Sequence, residues 1–122
     1  SVNANYQIES NFFTSEKIKH NEIIDIWEEE YGNEDNKLKF KIMKKTSKKS
    51  HLKKQSIAGL SCEKGSGKVL NAFLLYYIED GDDINYGSLK GRVVLKGTDN
   101  KAIEKIKEHP EELAAAIFSK SH

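Results

Sequence analysis

The sequence predicts an α+β domain: an antiparallel β-meander of about four strands, with an N-terminal helix and a kinked C-terminal helix packed on one face. Between Lys37 and Gly97, apolar and polar residues alternate in several segments, which is the period of half-buried strands. On both sides of that stretch, apolar residues recur at helical spacing instead. The 122 residues are expected to form a single domain, 1–122, which is long enough to bury a core.

A helix is expected before the strands. It begins near Thr14 or Ser15, because both side chains can cap free backbone N–H groups, and it ends at Gly32-Asn33. Asn21 is an alternative cap that would give a shorter helix. The apolar stripe of this helix comprises Ile24, Trp27 and Tyr31, widened by Ile23 and Ile26.

The middle of the chain carries the strand pattern. Leu38, Phe40 and Ile42 alternate with lysines and predict a half-buried strand with its lysines outward. The segment 46–54 lacks periodicity and predicts an exposed loop or hairpin tip. Val69 to Ile78 is nearly all apolar, so we expect a central strand covered on both faces. The other strand predictions are Tyr6 to Ile8, Gln55 to Glu63 and Leu89 to Lys96, with turns at Gly65-Ser66-Gly67 and Asp80-Gly81-Asp82-Asp83.

A final helical segment follows, capped by Thr98 or Asp99. Pro110 lies inside it, and it either kinks one helix or opens a second helix at its first turn. The apolar stripe keeps its phase across the proline, so both halves are expected to face the same sheet. This stripe consists of Ile103, Ile106, Leu113 and Ile117.

Charge is unevenly distributed along the chain. The formal net charge is only +1, so the protein as a whole is not a basic nucleic-acid binder. Nine lysines nevertheless lie between Lys37 and Lys54, directly after an acidic segment. The glutamates at 28–30 either balance the charge of these lysines within the molecule or form a second contact surface. We predict a solvent-exposed binding patch made of Lys44, Lys45, Lys48, Lys49, Lys53 and Lys54.

The chain shows no catalytic or ligand-binding motif. The segment 64–68 lacks the first glycine of a P-loop and predicts a hairpin turn. The acidic residues at 79–83 lack the spacing of a calcium loop. Cys62 is the only cysteine, so it cannot form an intramolecular disulfide, and it is expected to be a buried structural residue. We therefore predict a non-enzymatic protein without a cofactor or a bound metal. None of the four histidines has a catalytic spacing: His20, His51, His109 and His122.

Gln55-Ser56-Ile57-Ala58-Gly59 resembles the Gln-x-Val-x-Gly hairpin of the cystatins, with isoleucine in place of valine. The order of predicted elements around it is also similar to that family. The resemblance implies a helix wrapped by an antiparallel sheet, and a hairpin wedge at Gln55 to Gly59 that enters the cleft of a papain-like protease. The chain departs from the family pattern in having no glycine near Ser1, no Pro-Trp pair and an extra terminal helix after Gly97.

The functional prediction is a binding or adaptor domain that makes protein–protein contacts through its lysine-rich surface, with a partner that carries acidic groups. An RNA- or DNA-binding domain that uses the Lys37 to Lys54 patch is the second interpretation, although Arg92 is the only arginine. Inhibition of cysteine proteases is the third. The longest apolar run cannot span a bilayer, and the sequence leaves compartment and oligomeric state open. The start at Ser1 rather than methionine indicates a processed or trimmed chain, and the sequence leaves open whether a targeting or anchor segment was removed.

Overall fold

The computed structural model describes residues 6–9, 12, 14–30, 37–39, 47–49, 54–96 and 101–121, with the backbone alone for 28–30, 37–39, 47–49, 54–55 and 101. Within these residues the sheet has seven strands: β1 (Tyr6–Ile8), β2 (Thr14–Ile18), β3 (Lys37–Lys39), β4 (Ser47–Lys49), β5 (Lys54–Lys64), β6 (Val69–Asp80) and β7 (Asp83–Leu95). The described helices are α1 (His20–Glu30), α2 (Lys101–Glu108) and α3 (Pro110–Ser121).

The sheet is antiparallel and is built around three long strands in the order β7-β6-β5. Each edge of the sheet is formed by two short strands. β1 and β2 pair with successive parts of β7, and β3 and β4 pair with successive parts of β5. The predicted meander of about four strands therefore corresponds to β5, β6 and β7, which form its long part, flanked by four short edge strands.

A tight turn connects the long strands β6 and β7. The β6–β7 hairpin turns at Gly81, which has φ 65°, followed by Asp82 with an ordinary negative φ. A glycine at the first central position is the signature of a type II′ turn, whose twist matches that of the flanking strands. Because Asp80 already pairs with Asp83, β7 begins six residues before the predicted Leu89.

One face of the sheet is covered by α2 and α3, and we call it the α2–α3 face. Leu60, Leu74 and Val93 lie on it and are fully buried. Ile106 of α2 and Ile117 of α3 pack against them, as the common phase of the terminal stripe predicted. Burial of each such side chain stabilises the fold by about 1.5–3 kcal/mol.

Pro110 opens α3 rather than kinking one long helix. It occupies the first position of α3, where its missing N–H would have no helical partner. α2 ends just before it, and the backbone N–H of His109 donates to the carbonyl of Lys105 at 2.9 Å. Of the two alternatives that the sequence left open, the second helix is therefore the observed one.

The opposite face carries α1, and we call it the α1 face. Trp27 is 3% exposed and packs over Gly59 of β5 and edge-on against Phe73 of β6, at 6.2 Å between the ring centroids. A Cβ atom at Gly59 would lie 2.5 Å from Cζ2 of this indole, so only glycine lets the helix approach so closely. Ile23 and Leu75 complete this smaller core.

The α+β class and the antiparallel sheet are confirmed, but the placement of the helices on one face is wrong. α1 lies on one side of the sheet, and α2 and α3 lie on the other. The N-terminal helix also starts later than Thr14 or Ser15, because Thr14–Ile18 pairs with β7 as an edge strand. These residues are good caps in isolation, and tertiary pairing overrides that local preference.

Candidate functional site

The predicted lysine patch is only partly within the described residues. Lys44, Lys45 and Lys53 lie outside them. Lys48 and Lys49 belong to β4, and Lys54 opens β5, so the predicted loop 46–54 contains strand residues. The backbone register places these three lysines on two different faces of the sheet. Lys49 and Lys54 are paired and share the α1 face, whereas Lys48 pairs with Gln55 on the opposite face.

The β4–β5 connection and the β6–β7 hairpin lie at the same end of the sheet. Four residues follow one another across the strands in one row of that end: Lys49, Lys54, Glu79 and Ile84. The row is positive over β4 and β5, and it becomes negative at Glu79. Asp82 in the adjoining turn is exposed and adds a second carboxylate.

The next row on the same face is aromatic. Tyr77 of β6 and Tyr86 of β7 pair directly, with their ring centroids 6.0 Å apart. His20 at the start of α1 lies 6.0 Å from the Tyr86 ring. Both tyrosines are only partly buried, so their rings are accessible at this end of the sheet.

Two large apolar side chains are exposed among the described residues, and one of them lies beside these rings. Ile84, two residues before Tyr86 on the same face of β7, is 54% exposed. Ile24, one helical turn after His20 in α1, is 47% exposed. We call the set of Tyr77, Tyr86, His20 and Ile84 the tyrosine surface. An exposed aromatic and aliphatic cluster with charged groups beside it is typical of protein-binding sites.

Sequence reasoning missed the tyrosine surface, although its signal was present. Ile84 and Tyr86 stand in period two with Ser88, directly after the Asp80-Gly81 turn signal. Starting the strand at Leu89 hid that alternation. The pairing of this segment with Tyr77, and its position beside α1, depend on the tertiary fold and could not be read from spacing.

The pentapeptide that resembles the cystatin motif lies inside β5, between β4 and β6. Ile57 is 3% exposed, and Gly59 is in contact with Trp27. Ala58 is the extra residue of a β-bulge between these two positions. The hairpin wedge that the resemblance implies is therefore not formed at Gln55 to Gly59.

The described residues offer little for chemistry. Cys62 is fully buried in the core, as predicted for a structural cysteine. Among the residues whose placement is known, no group of three or more His, Cys, Asp or Glu side chains could hold a metal ion. One crevice lies between β1 and the α2–α3 junction, where Tyr6, Lys105, His109 and Glu112 meet. Its cavity volume of about 10 Å³ is far below the range of roughly 300–1,000 Å³ that is usual for small-molecule sites.

The hydroxyl of Tyr6 in this crevice has a perturbed proton affinity. Burial, and secondarily the negative charge of Glu112, raise the pKa of the Tyr6 hydroxyl above its ordinary value of 10.0. A raised phenol pKa keeps the group protonated at neutral pH, so it is not an activated base or nucleophile.

None of the helices in the described part of the chain is long and apolar enough to cross a membrane. Comparison of the chain with protein-family models, with curated proteins and with solved structures finds no match.

Proposed function

We propose that this protein is a non-enzymatic binding domain that recognises another protein through the tyrosine surface and the neighbouring Lys49 and Lys54. The observation that carries the proposal is the exposure of Ile84 and the two tyrosines beside a row of opposed charges. Aromatic side chains bury a large area with few rotatable bonds, and they are enriched in the parts of interfaces that dominate affinity. The lysines would then orient a partner that carries acidic groups.

The acidic end of the β6–β7 hairpin favours a protein partner over a nucleic acid. Glu79 lies directly opposite Lys54, and Asp82 is exposed in the turn that follows. Phosphate groups that approached Lys49 and Lys54 would also meet these carboxylates, which would repel them. A protein surface can match both signs, because it carries both acidic and basic side chains.

Binding of single-stranded nucleic acid remains the second candidate, because one observation favours it. Tyr77 and Tyr86 present partly accessible rings on the face that carries Lys49 and Lys54. Proteins that bind single strands stack bases on aromatic rings and neutralise the phosphates with basic residues. Oligothymidine binding whose affinity falls linearly with the logarithm of salt concentration would support it. It would also predict stronger binding by Glu79→Lys/Asp82→Lys.

The proposal is tested by titrating the ¹⁵N-labelled protein with a short peptide that joins a Glu-Glu-Leu block to a Lys-Lys-Leu block, so that it carries both signs of charge, and recording amide shifts. We expect changes at Tyr77, Ile84 and Tyr86, and loss of those changes in Lys49→Glu/Lys54→Glu. Lys64→Glu/Lys68→Glu is the matched control, since it makes the same charge change at exposed positions by the β5–β6 turn. The proposal fails if the peptide leaves these amides unchanged, or if both double variants bind it equally.

A further inference from the structure

We propose that this protein has a second binding surface, on the far side of α1 from the tyrosine surface, which takes an extended acidic segment of a partner protein. Residues of β6 and β7 on the α1 face form this surface, and we call it the β7 patch: Asn71, Phe73, Lys90, Arg92 and Val94. Two cross-strand pairs make up its centre, Phe73 with Lys90 and Asn71 with Arg92. None of these residues belongs to the tyrosine surface, so the two surfaces can be tested separately.

Helix α1 covers part of the α1 face and leaves the β7 patch open. It reaches this part of the sheet through Trp27, which packs against Phe73. In the next row toward the β5–β6 turn, Asn71 is exposed and the Arg92 side chain is 53% exposed with α1 in place. Lys90 is exposed as well. The polar groups of the β7 patch are therefore accessible without movement of the helix.

The charges of the β7 patch favour an anionic ligand. Nζ of Lys90 lies 5.7 Å from the centroid of the Phe73 ring, and no carboxylate pairs with it within the part of the chain that the structure describes. Arg92 forms one ion pair, from Nη2 to Oε2 of Glu9 at 3.2 Å. A guanidinium has five N–H donors, so donors remain for a second carboxylate. Glu63 of β5 lies two strands away from Arg92, so the positive potential is strongest along β7.

The spacing along β7 favours an extended peptide. Every second residue of a strand lies on the same face, at intervals of about 6.8 Å. Lys90, Arg92 and Val94 therefore form a row of two cations and one half-buried apolar side chain, and Val94 pairs with the half-buried Val69. An extended peptide repeats its side chains at the same interval. The pattern Glu-x-Glu-x-Leu places two carboxylates at the cations and its leucine at the valine pair.

The surroundings of Phe73 favour a peptide over a nucleic acid at the β7 patch. Proteins that bind single strands stack bases on accessible aromatic faces. Here the ammonium of Lys90 lies over the Phe73 ring, and the Trp27 indole packs edge-on against it. Both neighbours restrict access of a base to the ring, whereas carboxylates require only the exposed cations.

The test is a titration of the ¹⁵N-labelled protein at low salt with the capped peptide Glu-Ser-Glu-Ser-Leu. We expect saturable amide shifts at Asn71, Lys90 and Arg92. The capped peptide Glu-Glu-Ser-Ser-Leu has the same composition, and it is expected to bind more weakly because its adjacent carboxylates point to opposite sides of an extended chain.

Charge variants give the direction of the effect. Lys90→Glu/Arg92→Glu is expected to raise the Kd about tenfold, because two attractive contacts become repulsive. Glu9→Gln is expected to lower the Kd about twofold, because it frees Arg92 from its ion pair. Lys17→Glu/Lys107→Glu is the matched control, since it makes the same charge change at exposed positions on the α2–α3 side, and it should bind like the unaltered protein.

The absence of shifts at these amides overturns the inference, as does equal binding of the two peptides or equal binding by Lys90→Glu/Arg92→Glu. Oligothymidine that shifts the same amides at lower concentration than the peptide also overturns it and assigns the β7 patch to a nucleic acid. Circular dichroism establishes that each variant is folded. Shifts confined to Tyr77, Ile84 and Tyr86 overturn only this inference, and a response of the β7 patch alone to both this peptide and the peptide of mixed charge overturns only the proposed function.

Discussion

The two faces of the sheet differ in how completely they are covered. Among the described residues, nineteen buried side chains form the core of the α2–α3 face, which two helices enclose. Three form the core of the α1 face, where a single helix is anchored by Trp27. The α1 face also carries Tyr77, Tyr86 and Ile84, which that helix leaves accessible. Stability therefore resides mainly on one face, and the accessible aromatic and aliphatic side chains lie on the other.

Leu74 and Leu75 give the most direct measure of this difference, because they are neighbours in β6 and point to opposite faces. Both are buried, at 0% and 1% exposure. Leu74→Ala is expected to lower the free energy of unfolding by about 4 kcal/mol and Leu75→Ala by about 2 kcal/mol. A cavity in the larger core is fixed by many neighbours, whereas one helix can settle into a cavity beneath it. Urea denaturation measures both values, and equal losses would contradict the comparison.

Gly59→Ala tests how tightly α1 is held. The added methyl group would lie 2.5 Å from the Trp27 indole, so α1 must shift, at a cost of about 2 kcal/mol in unfolding free energy. Trp27 is the only tryptophan, so its fluorescence reports directly on this contact. Denaturation is followed by fluorescence and by circular dichroism. The cost should shrink when Trp27→Leu is made first, and an unchanged cost in that background would refute the contact.

Ser56→Ala tests whether a buried hydroxyl on the α1 face lowers the stability of the fold. Its Oγ atom is fully buried and has no hydrogen-bond partner among the residues that the structure describes. An unpaired buried hydroxyl destabilises the folded state, so Ser56→Ala is expected to raise the free energy of unfolding by about 1 kcal/mol. Ser66→Ala, at an exposed turn position, is the control and should change it by less than about 0.5 kcal/mol. Destabilisation by Ser56→Ala in thermal or urea unfolding would show that the hydroxyl is paired.

Tyr6 gives the smallest effect and belongs to the α2–α3 face. Its pKa is raised in the folded protein by burial, and to a lesser degree by Glu112. The unfolded chain releases this proton near pH 10, before the folded protein does, so stability is full below that pH and is lost as pH rises through the folded pKa. Urea midpoints at neutral and strongly alkaline pH should fall less for Tyr6→Phe than for the unaltered protein. An identical fall in both would exclude the shift.

The spacing of apolar residues predicted the secondary-structure elements that depend on local sequence. The nearly continuous apolar run from Val69 to Ile78 located a central strand, and the common phase of Ile106 and Ile117 located the helices that cover it. Which face α1 covers was not predictable, because an amphipathic stripe shows that a helix packs on a sheet but not on which side. Thr14 was misplaced for a related reason, since its capping preference is weaker than pairing with β7.

The candidate site was predictable only in part. Lysine density pointed to the chain around Lys49 and Lys54, and the backbone places both on one face. The register that puts Glu79 beside Lys54, and Tyr77 beside Tyr86, brings together residues far apart in sequence. Composition therefore indicated the positive charge of the lysine half of the surface. The acidic and aromatic half became visible only from the sheet topology.

The pairing of β1 and β2 with β7 has a consequence for how the chain folds during synthesis. β1 and β2 are synthesised long before β7, which completes them and ends at Leu95. Contacts so distant in sequence require a long loop to close and are slow to form. While the ribosome is still adding β7, Tyr6 and Ile8 lack their native partners and expose apolar surface, which is the period when a nascent chain is most prone to aggregate.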